Sequence, residues 1–527
     1  MLAPPVRGGT TLARFVSWAK SWLLTTNHKR VGVLYIWTTF VWFLFAGVDA
    51  LAVRWELRTP GLDTFRPDLY NALFTFHGTQ MVFLFAIPVF TGFANIFLPP
   101  MVGAKDMAFP RLNALAFWLV FWSGALLRIP LFWREFAADG WTNYAPLSTG
   151  SFSPDFGEDW WIWSIFLETA SAGMAGINFL VTVFRARKPG TKLSELPVFV
   201  HSMIGTSALA VVAGPFLLFA LLALFFDRYA ATAFFQPVLP NSVLLWENIF
   251  WFYSHPATYI MILPAFGIVS EVLQTFGGRP FWSRRAVTLS IYGTTLFSML
   301  VFWHHMFVTG MDPTYSAFGS VATFGVAFPT AVLFLNWIGS LFGASLRLTT
   351  AALFALAFIV MFGLGGVDGV YLASIPLDVD LHHTYWLTAH IHFVLYGGSA
   401  LGATTAVYYW FPSIFGRRLH ETWGKVHLVL AVLGGLVTFL PMHVQGMEGM
   451  VRRIWQYDPR WTDLNVLETV GAGLIALGYT IFLVNVLATL AFAPAAEAPV
   501  AWSDDDAYPE RRSTRALSRR ARRGAAR

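Results

Sequence analysis

Apolar stretches of about 20 residues, each long enough to cross bilayer hydrocarbon as a helix, repeat along almost the whole of this sequence. A helix satisfies its own backbone N–H and C=O groups inside lipid, where water cannot. The expected fold is an all-α integral membrane domain of about twelve transmembrane helices. They are predicted near 32–53, 72–100, 112–131, 159–184, 199–226, 243–275, 287–308, 319–342, 349–372, 384–410, 425–442 and 467–493. Composition agrees, since only 12% of residues are charged against about 25% in soluble domains.

Charge sorts the loops into two sets. One holds Lys105, Arg111, Arg185, Arg187, Lys188, Lys192, Arg279, Arg284, Arg285, Arg347, Arg417, Arg418 and Lys425; the other is richer in Asp, Trp and Pro. The positive-inside rule assigns the first set and both termini to the cytoplasm. Residues 1–31 read as a cytoplasmic leader, because Arg7, Arg14 and Lys20 flank no continuous apolar core. Residues 32–494 read as one helical domain. The stretch 495–527 reads as a basic, disordered tail beside anionic lipid, with no nucleic-acid role. The sequence has no cysteine, which excludes disulfides, thiolate metal sites, iron–sulfur clusters and covalent c-type haem on this chain.

Histidine inside hydrocarbon marks a functional site by default. His77, His255, His304, His305, His390 and His392 all fall within predicted helices, in the half away from the basic loops. Positions i and i+2 of a helix point about 200° apart, so His390 and His392 serve different sites. A haem iron, commonly held by axial His, can take His77 with His392, while a second takes His390 alone and stays open for a small ligand. His255, His304 and His305 remain as a three-imidazole site suited to copper, zinc or iron. Tyr259 lies four residues after His255, on the same helix face, where a phenol can supply an electron and a proton.

The motifs H-G-T-Q-M (77–81), H-P-A-T-Y (255–259), W-H-H-M-F (303–307) and A-H-I-H (389–392) together resemble subunit I of the haem–copper terminal oxidases. T-N-H-K (26–29), R-W-E-L (54–57), D-M-A-F-P-R-L-N (106–113), G-I-N-F (176–179) and R-R (452–453) extend the resemblance. It implies the catalytic subunit of a cytochrome c oxidase that reduces oxygen to water and pumps protons from the inner membrane of a prokaryote. It also implies low-spin haem ligands His77 and His392, high-spin ligand His390, copper ligands His255, His304 and His305, and a covalent bond from Tyr259 to His255. The implied cofactors are two haems, of the a type, and one copper. Arg452 and Arg453 match a pair that binds haem propionates, and Trp251 belongs with the cofactor-binding residues. Arg54 is left between a contact to the low-spin haem and an interfacial anchor. The implied partners are a subunit II carrying a dinuclear copper site, subunit III or small subunits, cytochrome c, oxygen and lipid.

The same resemblance assigns a D-pathway for protons to Asp106, Asn95, Asn113 and Asn178. Many relatives carry Glu two residues after the first copper His, where this chain has Ala257. Tyr253 and Ser254 precede His255 instead, as in a Tyr–Ser subgroup. Ser270 and Thr330 match a second, K-type pathway, but its lysine is replaced by Leu333. Either a substitute route reaches Tyr259, or all protons use the first pathway. His382-His383 stands where a His-Asp pair would border a magnesium site, putting that metal in doubt. Glu168 lies within a predicted helix, either paired structurally or joined to a proton path.

Three other readings compete. A quinol oxidase would share the oxygen site without the dinuclear copper partner. A nitric oxide reductase would carry extra glutamates and no Tyr259. A non-catalytic haem protein would give the three-imidazole site no purpose.

Overall fold

The computed structural model describes residues 11–61, 64–237 and 242–494. Part of the expected leader (1–10) and the expected tail (495–527) lie outside the described residues. Ten helices are long and apolar enough to span a membrane. In chain order they are α1 (His28–Glu56), α2 (Pro67–Val102), α3 (Pro110–Trp133), α4 (Gly157–Arg185), α5 (Val198–Tyr229) and α6 (Ser242–Gly277). After α7 (Arg284–Ser298) come α8 (Pro313–Leu341) and α9 (Thr350–Ala373). The chain then forms α10 (385–415), α11 (Glu421–Met447) and α12 (Pro459–Phe492). Adding α7 and α10 to the ten spans gives the twelve expected from sequence. The shorter helix Thr11–Leu23 precedes them.

Two helices are deformed beside their histidines. In α2 a wide π-helical turn runs over Gln80–Ala86, just after His77. In α10 a second covers Leu395–Ala400, just after His392. Such turns cluster at functional sites because they re-aim side chains without ending the helix. Close approach is needed there too. A Cβ on Gly397 would sit 2.8 Å from Met361 Cβ, and one on Gly402 would sit 2.5 Å from Ala265 Cβ.

The predicted span 287–308 needs correction. The α-helix stops at Ser298, and Phe302–Met306 forms a 3₁₀ turn. His304 and His305 therefore stand on a turn rather than inside α7. Packed there, the two imidazoles lie side by side with ring centroids 4.2 Å apart.

The loops lock the two ends of the bundle. At the basic end, Lys188 N–H donates to Val102 O and Arg347 N–H to Phe276 O, both at 3.0 Å. At the opposite end, Tyr385 N–H donates to Met450 O and Arg452 N–H to His383 O, both at 2.9 Å. This pairing ties the start of α10 to the Arg452–Arg453 loop. His383 and Arg453 take left-handed φ values of 61° and 64°, which non-glycine residues adopt only where surroundings enforce them.

Candidate metal centre

Of the six histidines singled out from the sequence, three converge on one point. His304 Nε2 lies 3.1 Å from His305 Nε2, and His255 Nδ1 lies 3.2 Å from the same atom. The three donor atoms fall within 4.8 Å of one another, the only such His/Cys/Asp/Glu trio among the described residues. Imidazole–metal bonds of about 2 Å need donors at this spacing, and neutral nitrogen suits copper. Each ring is held from behind. His304 Nδ1 hydrogen-bonds Thr323 Oγ1 at 2.8 Å. Trp251 stacks on His305 with centroids 3.8 Å apart and planes 5° apart, and its Nε1 donates to Tyr144 Oη at 3.0 Å. His255 keeps a buried Nε2 without a hydrogen bond, and the Tyr259 ring centroid lies 5.0 Å from its own.

Opposite this trio stands His390, across a cavity of about 200 Å³ that all four histidines and Tyr259 line. His390 Nδ1 is engaged by Gly365 O at 3.0 Å. That bond commits one ring nitrogen and leaves Nε2 as the atom available to a metal. Gly365, Gly366 and Gly369 form one wall. A Cβ on Gly369 would come within 3.2 Å of His390 Cε1, so the glycine lets the imidazole pack against this wall.

His392 faces the other way, as the 200° rule requires. Its ring and that of His77 are 9° from parallel with centroids 6.0 Å apart. This gap is too wide for stacking and suits one metal ion between two imidazole nitrogens at about 2 Å each. His77 Nδ1 bonds Ala46 O at 3.0 Å and His392 Nδ1 bonds Thr388 O at 2.8 Å, again freeing Nε2. The donor set therefore fits two haems and one copper.

Arg452 and Arg453 border the centre with no carboxylate ion pair among the described residues. Arg452 Nη2 meets His383 Nδ1 at 3.1 Å, and Arg453 donates to Thr142 Oγ1 at 3.3 Å. Burial, then the charge of Arg453, lowers the Arg452 guanidinium to about 9. Burial, then Arg452, pushes His383 down to about 3. Two adjacent, half-buried cations without an acid call for an anionic ligand such as carboxylates.

Arg54 is not a lone anchor. Its Nη2 lies 2.9 Å from Glu468 Oε2 and donates to Asn465 O and Oδ1, each at 2.9 Å. His382 Nδ1 bonds Asp378 Oδ2 at 2.8 Å and joins no three-ligand cluster among the described residues. Ser270 accepts from Trp337 Nε1 at 2.9 Å, and Thr330 donates to Val326 O at 3.1 Å. Thr330 lines the cavity with Tyr259, while Leu333 is fully buried.

Toward the basic end, Asp106 accepts from Met107 N–H at 2.7 Å. Asn113 Nδ2 donates to Asn95 Oδ1 at 2.5 Å. Asn178 spends both polar atoms on the Phe109 backbone, at 2.9 and 3.2 Å. It therefore anchors the Asp106 loop as well as flanking it. Sequence reading missed Thr323, Tyr35 and Ser171, and the buried Asp49–Gln80–Arg128 network. A lone hydroxyl in a span carries little signal; the acid and base within predicted apolar ends were the visible clue.

A family model described as cytochrome c and quinol oxidase polypeptide I matches residues 30–474. The cytochrome c oxidase subunit 1 of Thermostichus vulcanus is 41% identical over 471 residues, spanning 89% of this chain and 85% of that one. The quinol oxidase subunit 1 of Bacillus subtilis is 36% identical over 480 residues, spanning 90% and 74%. In architecture the chain is similar to a solved heme-copper terminal oxidase dimer, with TM-score 0.77 at 19% identity, covering 93% of this chain and 90% of that one.

Proposed function

Because the chain belongs to the cytochrome c and quinol oxidase polypeptide I family of multi-pass membrane proteins, we propose that it is the oxygen-reducing subunit of a respiratory terminal oxidase. The carrying observation is His390 facing the His255–His304–His305 trio across one cavity that Tyr259 also lines. When bound, two haems and one copper supply electron transfer and the reduction of oxygen to water. His77 and His392 hold one haem iron, His390 the other, and the trio holds copper. Tyr259 stands where it can give a proton and an electron to that cavity, joined to the bare Nε2 of His255. Arg452 and Arg453 hold haem propionates, and Trp251 fixes the plane of His305. Arg54, with its charge matched by Glu468, borders the low-spin haem.

Protons enter from the cytoplasmic, basic end past Asp106 and the Asn95–Asn113 pair, reach Tyr253 and Ser254, and are in part pumped. Both termini are cytoplasmic, in a prokaryotic inner membrane. Cytochrome c delivers electrons through a subunit II with a dinuclear copper site, as suits the Tyr–Ser subgroup. The quinol oxidase relatives support a second reading, in which quinol is the donor.

Purification of the whole complex tests this reading. Two irons and one copper per chain are expected, with oxygen uptake driven by reduced cytochrome c. Uptake driven only by quinol would transfer the assignment to the second reading, and absence of copper would overturn the oxygen site.

A further inference from the structure

Helix α4 crosses the core with an apolar sequence broken on one face by Asn178, Ser171, Glu168 and Ser164. Spacings of 7, 3 and 4 residues keep these side chains in one stripe along a helix of 3.6 residues per turn. Each step is backed by a neighbouring helix. Asn178 holds the Asp106 loop. Ser171 Oγ donates to Ala116 O at 2.7 Å and meets Tyr35 Oη at 3.3 Å. Ser164 and Ser123 exchange hydrogen bonds between α4 and α3.

Glu168 differs from the rest of the stripe. It is 1% exposed, and neither of its carboxyl oxygens has a hydrogen-bond partner. It lies within electrostatic reach of Tyr35 on the basic-end side and of Tyr253 on the cavity side. The hydroxyls of Thr169, Tyr253 and Ser254 are likewise buried without partners. Thr169 lies beside Tyr253, yet neither hydroxyl completes a hydrogen bond. Leaving four such groups dry would cost several kcal/mol. Polar buried sites of this kind are bridged by water, and a row of hydroxyls, water and one titratable acid conducts protons.

We propose that Glu168 is the carboxyl that passes protons from the Asp106 side of the bundle to the Tyr253–Ser254 pair. It replaces, from α4, the acid that the Ala257 position of α6 lacks. The protonated carboxyl gives its proton to water at Tyr253, and the carboxylate is reprotonated through Ser171 and Tyr35. No bond other than O–H is made or broken, and oxygen reduction consumes the proton. The assignment rests on the Asp106 pathway proposed above.

The test compares Glu168→Gln, Glu168→Asp, Asp106→Asn and the pair Glu168→Gln with Ala257→Glu in the purified complex. Glu168→Gln is expected to slow turnover about 100-fold or more, the scale of a lost proton-transfer group, with haem and copper content and spectra unchanged. Glu168→Asp, and the carboxyl restored at Ala257, should recover a substantial part. A carboxyl band in the redox infrared difference spectrum should vanish in Glu168→Gln. Normal turnover of Glu168→Gln alongside a slow Asp106→Asn would overturn the role of Glu168 and leave the pathway standing. Normal turnover of both would overturn the pathway and the proposal with it. A slow Glu168→Gln that neither rescue restores would mark Glu168 as structural and overturn the proposal.

Discussion

The His77 and His392 rings face each other 9° from parallel with centroids 6.0 Å apart, although their backbones belong to helices separated by more than half the chain. Each Nδ1 is held by a carbonyl, of Ala46 or Thr388. Replacing His392 with Ala should remove one axial ligand and the low-spin haem signature. Iron is expected to fall from two to one per chain, or the spectrum to become high-spin throughout. An unchanged spectrum would separate His392 from the haem.

Thr323 braces the trio from behind His304. Thr323→Val keeps the shape but removes the 2.8 Å bond to His304 Nδ1. Loss of such a supporting partner weakens metal binding about 10- to 100-fold. Copper retained during dialysis against a chelator should therefore fall well below wild type, with iron unchanged. His304→Ala, which deletes a ligand, should lose copper altogether.

The Arg54–Glu468 pair is buried, with side chains 7% and 0% exposed. Removing one partner of such a pair strands a charge and costs about 3–5 kcal/mol. Glu468→Ala should lower the thermal midpoint for haem release, and Glu468→Ala with Arg54→Met should recover part of the loss. Equal stability of wild type and Glu468→Ala would show that the pair adds nothing.

On the loop between α3 and α4, burial first, with the Asp155 charge adding, raises the Asp139 carboxyl to about 6 despite a hydrogen bond from Ser153. A raised acid favours the protonated folded state. Its stabilising contribution is full below the unfolded value near 4 and is lost as pH rises through 6. Asp139→Asn should flatten the stability–pH curve between about pH 4 and 6. Thermal denaturation at half-unit pH steps measures this; parallel curves for the two proteins would contradict it.

The sequence disclosed the histidines because hydrocarbon makes polar groups conspicuous. Six imidazoles in the half of the apolar stretches away from the basic loops stand out, and the two-residue spacing of His390 and His392 already forbids a shared metal. Spacing did not disclose where α7 ends. Met299 and Leu300 are apolar and continue the span pattern, while the 3₁₀ turn depends on how His304 and His305 pack against α6 and α8. Arg54 was ambiguous for a related reason: its partner Glu468 is remote in sequence and lies within an apolar span.

Sequence alone determined an all-helical membrane fold of twelve spans and nominated every histidine of the candidate metal centre, because helix length and the cost of burying polar atoms are local properties. Tertiary structure decided which ring nitrogens are committed to carbonyls, and it paired Arg54 with Glu468. It also left Glu168 among unpaired hydroxyls beside Tyr253. Those outcomes depend on which atoms of distant helices meet, and a one-dimensional pattern does not encode that distance.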